Sequence, residues 1–288
     1  VTIQQNQPVQ GIKHVIAVAS GKGGVGKSTI AANIAAILSE KAFKVGLLDL
    51  DIYGPSLPII LGLSEQPKVT SERKLIPLEF RGMKVMSFGF LSDDDSPAIW
   101  RGPLVARMTE QFFKDVIWGE LDYLVLDLPP GTGDVQLTLT QKIKISGAII
   151  VTTPQDIALA DVRKGANMFQ KVNAPILGVI ENMSGFQIEG KIIDNKGNSL
   201  SGGTVQISKA KETVVNEKGE FNLIIDLFKK GGGEKESERL GVPLLGIIPI
   251  SQEVMKATDA GLPIVFDSPE SVVSKIYREI GDRIIEAL

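Results

Sequence analysis

The sequence predicts an α/β protein: a doubly wound, mostly parallel sheet with helices on both faces, carrying a small antiparallel β insertion. Three observations lead there. Short continuous apolar runs of strand length alternate with stretches of helical periodicity. A glycine-rich loop joins the first such run to the first helical stretch. Between residues 185 and 230 the rhythm changes to a two-residue period broken by turn signals.

Taken in order, His14 to Ser20 (HVIAVAS) reads as a buried strand, and IAANIAAILSE as the helix after the glycine-rich loop. VGLLDLD is a strand ending in acids, followed by a loop with Pro55 and Pro58 and two short strand-like runs around Leu75 and Val85. A helix is expected over Pro103 to Val116, a strand over Leu121 to Asp127, then the loop PPGTGD and another helix. Gly147 to Thr152 and Ile176 to Glu181 are further strands, flanking a helix near Asp161 to Lys171. In the insertion the runs KIID, TVQIS, ETVV and EFNLIID alternate, with turns at Asn195-Lys196-Gly197-Asn198 and Glu217-Lys218-Gly219. The α/β pattern resumes with a helix at Glu234–Leu240, a strand at Leu244–Pro249 and a helix from Glu270 onward.

Composition narrows the chemistry. The 288 residues are 43% hydrophobic and 23% charged, enough to bury a real core and wrong for a disordered chain. Lys and Arg number 31 against 34 Asp and Glu, so nothing suggests a nucleic-acid coat or a cationic membrane binder. No apolar run approaches the roughly 20 residues that span a bilayer, and the leader VTIQQNQPVQ is too polar for a secretory signal, so a cytoplasmic location is expected. With no cysteine, disulfides, thiol nucleophiles and thiolate-held metal centres are excluded within the chain. The single histidine, His14, leaves no His-based metal centre or Ser-His-Asp triad; it reads as structural. The chemistry is left to Lys, Asp, Ser, Thr and backbone.

Gly21-Lys22-Gly23-Gly24-Val25-Gly26-Lys27-Ser28-Thr29 satisfies the phosphate-loop pattern and lies between a strand and a helix, as its mechanism requires. Glycines let successive N–H groups turn toward a phosphate, and the helix N-terminus adds its positive dipole end. Lys27 is expected to bridge the β- and γ-phosphates of ATP, and the Ser28 hydroxyl to ligate Mg²⁺. Asp127 ends a strand where it can hold the Mg²⁺ shell through a water, and Gly131 and Gly133 follow with N–H groups for the γ-phosphate. Asp49 and Asp51 end another strand; one is expected at the Mg²⁺ waters and the other orienting the attacking water. Residues 1–184 and 231–288 thus read as an ATPase domain, interrupted by the β-rich insertion at 185–230.

The motifs KGGVGKST, LLDLDIYGPS, VLDLPPGTGD, TTPQDIALADVRKG, ENMSG, GGGE and GVPLLGIIPI resemble the Mrp/ApbC branch of the MinD/ParA-type ATPases, in order along nearly the whole chain. DIYGPS and PPGTGD are signatures of that branch. The resemblance implies an ATP-sandwich homodimer in which Lys22 reaches the partner subunit's nucleotide. It also implies that Asp51 activates water, that Asp127 is linked to Mg²⁺ and that Asn182 hydrogen-bonds adenine. Family members act as iron–sulfur cluster carriers, with a CxxC between ENMS and GGGE. This chain has no cysteine, and the insertion stands where that motif belongs.

The insertion is faintly similar to the carboxypeptidase regulatory-like β-sandwich pattern and is expected to bind a client or support the dimer. Arg101, in the run Trp100-Arg101-Gly102-Pro103, is a second candidate for partner contact. The C-terminal run SVVSKIYREIGDRIIEAL is amphipathic, with mixed charges on its polar face, and is expected on the sheet rather than on a membrane. The expected function is a slow Mg²⁺-dependent ATPase of this branch, serving iron–sulfur assembly or another client. The alternatives are a MinD/ParA-like switch that positions a partner and, more remotely, a small-molecule kinase.

Overall fold

The computed structural model describes residues 8–52, 54–91, 102–131, 134–208, 211–227 and 231–288. Arg101 and Gly133, both singled out above, lie outside them. In chain order the first half carries β1 (Ile12–Ser20), α1 (Lys27–Glu40), β2 (Val45–Asp49), α2 (Leu57–Ile60), β3 (Lys68–Val69), β4 (Leu75–Ile76), β5 (Leu78–Phe80), β6 (Met83–Ser87), α3 (Gly102–Asp115), β7 (Leu121–Asp127) and α4 (Asp134–Lys142). The second half carries β8 (Gly147–Thr152), α5 (Asp156–Lys171), β9 (Ile176–Lys191), β10 (Thr204–Ser208), β11 (Lys211–Val214), β12 (Glu220–Ile225), α6 (Gly232–Leu240), β13 (Leu244–Ile250), α7 (Gln252–Asp259), α8 (Ile264–Asp267) and α9 (Val272–Ala287).

The main sheet runs β12-β9-β8-β1-β7-β2-β6-β5, with β13 also paired to β9. All its ladders are parallel except β5 with β6 and β12 with β9. The central strands β1, β2, β7 and β8 are buried nearly throughout, which is why they read as unbroken apolar runs. Helix α1 is buried almost all round, from Ile30 to Leu38, because sheet strands lie on one side and α8 and α9 on the other. Alanines at 31, 32, 35 and 36 let it lie that deep. Helix α9 covers β13 and α1 through Val273, Ile280 and Ile284. A Cβ on Gly281 would strike the Ile37 side chain, so that crossing depends on the glycine. No described helix is long and apolar enough to cross a membrane.

Strand β9 does not stop at Glu181. Met183 (φ 57°) and Gly185 (φ 84°) kink it, and it then continues to Lys191. Its first half is parallel to β8 and β13; its second half is antiparallel to β12, from Phe186 opposite Ile225 to Lys191 opposite Glu220. Strands β10 and β11 form a separate two-stranded pair. The KIID run keeps only Lys191 in a strand, because Asp194 turns the chain: its Oδ1 accepts from the N–H of Lys196 (2.8 Å) and Asn198 (2.9 Å). Asn216 repeats the device with Lys218 and Glu220, both at 2.9 Å. The sequence analysis assigns no element to α2, α7 or α8, and α2 falls within the stretch read as a loop with Pro55 and Pro58.

Candidate functional site

Strands β1, β2, β7, β8 and the kink of β9 end on one edge of the sheet, and the motif residues gather there. The loop 21–26 leaves β1 and enters α1. Gly24 (φ 77°) and Gly26 (φ 79°) adopt the left-handed conformation that side chains rarely take. Val25 between them is buried and anchors the loop. Gly21 and Gly23 lie in the bend before it, where the Ser20 hydroxyl donates to the Lys22 carbonyl at 2.9 Å. Ser28 and Thr29 fall in the first turn of α1.

Lys27, the first residue of α1, is buried, and its ammonium forms an ion pair with Asp127 Oδ1 at the end of β7. The Ser28 hydroxyl lies 3.5 Å from the same ammonium. Asp127 is wholly buried, and among the described residues its Oδ2 has no partner within hydrogen-bonding geometry. Burial pushes this carboxyl up, against the opposing pull of Lys27. A buried carboxylate oxygen without a donor, next to a hydroxyl at a helix N-terminus, suits a hydrated cation.

Asp49 is equally buried but differently engaged. Its Oδ1 accepts from the Asp51 N–H (2.9 Å), and its Oδ2 from the Ser87 hydroxyl (3.0 Å) and the Leu57 N–H (3.3 Å). Burial and the nearby Asp127 raise its carboxyl well above the ordinary range. With both oxygens committed, Asp49 holds the loop that carries Asp51. That loop, with the phosphate loop and Pro130, lines a cleft of about 270 Å³ in which Lys22, Lys27 and Asp51 meet.

Three expected groups have partners the sequence did not suggest. Lys22 donates to Gln155 Oε1 at 3.2 Å, at the N-terminus of α5. The Gly131 N–H donates to the Ser20 carbonyl at 2.9 Å. Asn182, buried on β9, donates to the Val25 carbonyl at 2.8 Å. Glu181, which sequence reasoning passed over, is buried beside it and accepts from the Ser184 hydroxyl (2.6 Å) and from the Gly233 N–H of α6. Its signal was present only as the first letter of ENMSG and the third glycine of GGGE.

Elsewhere the molecule offers less chemistry. A cavity of about 710 Å³ opens at the opposite end of the sheet, between His14, Ile145, Asn173 and Leu288. His14 stacks on Tyr123 with ring centroids 5.3 Å apart, a packing role. Among the described residues no three His, Cys, Asp or Glu side chains gather to hold a metal ion.

The family model for the ParA-type NUBPL iron-transfer P-loop NTPase matches residues 11–213 and 213–285. An iron–sulfur cluster carrier protein of Pseudomonas fragi is 44% identical over 272 residues, covering 94% of this chain and 84% of its own. Among solved structures, a nucleotide-binding protein from Archaeoglobus fulgidus in complex with ADP superposes with a TM-score of 0.70 and 35% identity over 90% of each chain. The cell division ATPase MinD of Pyrococcus furiosus shares the fold, with a TM-score of 0.65 at 20% identity, covering 96% of this chain and 99% of its own. Sheet order, phosphate loop and family match agree: the chain belongs to the NUBPL iron-transfer family of P-loop NTPases.

Proposed function

We propose that the chain is a Mg²⁺-dependent ATPase whose ATP-bound form is a homodimer, and that it serves a client in iron–sulfur metabolism without ligating a cluster through thiolates of its own. The observation that carries this reading is the buried Lys27–Asp127 pair, with Asp127 Oδ2 unpartnered, beneath a left-handed glycine loop at the start of α1. Lys27 would turn from Asp127 to the β- and γ-phosphates. Ser28 directly and Asp127 through water would hold Mg²⁺, which supplies charge neutralisation at those phosphates when bound. Asp51, on the loop fixed by Asp49, orients the attacking water. Lys22 would leave Gln155 for the partner subunit's nucleotide, giving up one hydrogen bond of about 0.5–1.5 kcal/mol.

The client reading rests on two features. Relatives are named cluster carriers, yet this chain has no cysteine to supply a ligand. The segment in place of the usual cysteine pair exposes Val214 and Leu227, apolar surface that suits a protein partner. The test is ATP turnover and nucleotide affinity of Asp51→Ala. Hydrolysis is expected to fall at least about 100-fold with ATP affinity retained. Turnover that survives the substitution would remove Asp51 from the mechanism.

A further inference from the structure

We propose that Asn182 is a positioning residue of the phosphate loop: its buried carboxamide fixes the Gly24–Val25–Gly26 turn in its anion-binding shape, and so acts on affinity through the phosphates. The proposal rests on the nucleotide-binding reading of the loop above.

The loop is intrinsically loose where it must be most exact. Gly24 and Gly26 both sit at positive φ, and glycine visits either sign of φ about equally, so burial of the Val25 side chain anchors the loop without by itself fixing how the peptides on either side of it are turned. Asn182 Nδ2 donates to the Val25 carbonyl at 2.8 Å in a buried setting, where an unmade bond is costly. Because the peptide is planar and trans, a carbonyl held toward β9 turns the following N–H, that of Gly26, away from β9. The amide therefore selects one of the orientations that glycine leaves open.

The fit is close on every side. A Cβ on Gly26 would collide with Asn182 Nδ2 and come within 3.7 Å of Met183 Cε, so any side chain at 26 would push the carboxamide off the loop. Asn182 cannot simply follow the loop, because its strand is held independently. Glu181 binds the Gly233 N–H and the Ser184 hydroxyl, and Asn182 itself lies opposite Ile248 in the β13 ladder. The carboxamide is thus a fixed post, and the glycine turn is the part it restrains.

A base-reading asparagine and a loop-positioning one leave different binding signatures. A group that reads only the base matters for ATP and not for a ligand without a base. A group that shapes the phosphate cradle matters for every ligand carrying the phosphates. The experiment is calorimetric titration of the full chain and of Asn182→Ala with Mg²⁺ and, in turn, ATP, GTP and inorganic tripolyphosphate, well below the melting temperature. The expected result is a loss of about five- to ten-fold, similar for all three ligands. Asn182→Leu keeps roughly the side chain's size and removes the donor without adding a charge beside the phosphates; it gives the same comparison if the alanine variant does not fold. A loss confined to ATP would overturn the proposal in favour of a base contact. A lower melting temperature with all three affinities unchanged would overturn it in favour of plain structural support. A wild-type chain that binds none of the three would sink the nucleotide reading, and this one with it.

Discussion

The two halves of β9 are held in opposite ways. Up to the kink at Met183, its side chains reach across the molecule: Asn182 bonds Val25, 157 positions earlier, and Glu181 bonds Gly233, 52 positions later. Beyond the kink the strand depends on its ladder with β12 and on two local turns, in which Asp194 and Asn216 bond N–H groups two and four residues on. The first half is a joint between distant segments. The second is closer to a self-contained ribbon. Damage to the first should spread through the sheet edge, while damage to the second should stay where it is made.

The largest effect is expected at Lys27, which follows the glycine turn that the first half of β9 holds. Lys27→Ala removes the phosphate ligand and leaves Asp127 buried without its cation. Breaking one side of a buried pair costs about 3–5 kcal/mol, less whatever Asp127 recovers by taking up a proton. Urea unfolding should register that loss, and nucleotide titration should show binding reduced beyond about 100-fold. Unchanged stability would mean that the Lys27–Asp127 pair is not part of what holds this edge together.

Next in size is Glu181→Ala, which leaves the buried Gly233 N–H without its acceptor and should cost about 1–3 kcal/mol. The cost should appear at the start of α6 and in the kink, read as faster amide exchange at both. Exchange confined to α6 alone would argue that Glu181 is a helix cap and nothing more, and the picture of β9 as a joint would weaken.

This contrast also marks what the sequence could say. The position of the phosphate loop between β1 and α1 was legible because its pattern fills nine consecutive residues, and the position of Asp127 at the end of β7 because the apolar run LDYLVLD stops there. The insertion was legible as β structure because alternation and turn residues are local. The long-range partners were not. That Asn182 lies under Val25, or that Lys22 reaches Gln155, follows from which strands end side by side, and no local pattern encodes that adjacency. The continuation of β9 was hidden for a related reason. Met183 and Gly185 look like a strand end, and only the ladder with β12 carries the strand past them.

The smallest expected effects lie in the ribbon, and they test whether it is as independent as its bonding suggests. Asn216→Ala removes the acceptor for two backbone N–H groups in an exposed turn, so the loss should stay within about 1 kcal/mol and leave ATP turnover unchanged. The two turns further differ in one respect: the side chain that accepts the turn N–H groups is a carboxylate at Asp194 and a neutral amide at Asn216. Hydrogen bonds from Asn198, then from the N–H groups of Lys196 and Gly197, hold the Asp194 carboxyl below the usual range. A depressed folded value means that the contribution is present above the ordinary carboxylate pKa, near 3.9, and is lost as pH falls through the lowered value. Backbone amide shifts of Lys196 and Asn198 should therefore move together in acid, and by more than that of Lys218 at the Asn216 turn, whose acceptor is a neutral amide. If both turns moved together, they would share one cooperative unit, and the ribbon would be joined to the sheet more tightly than its local bonds imply.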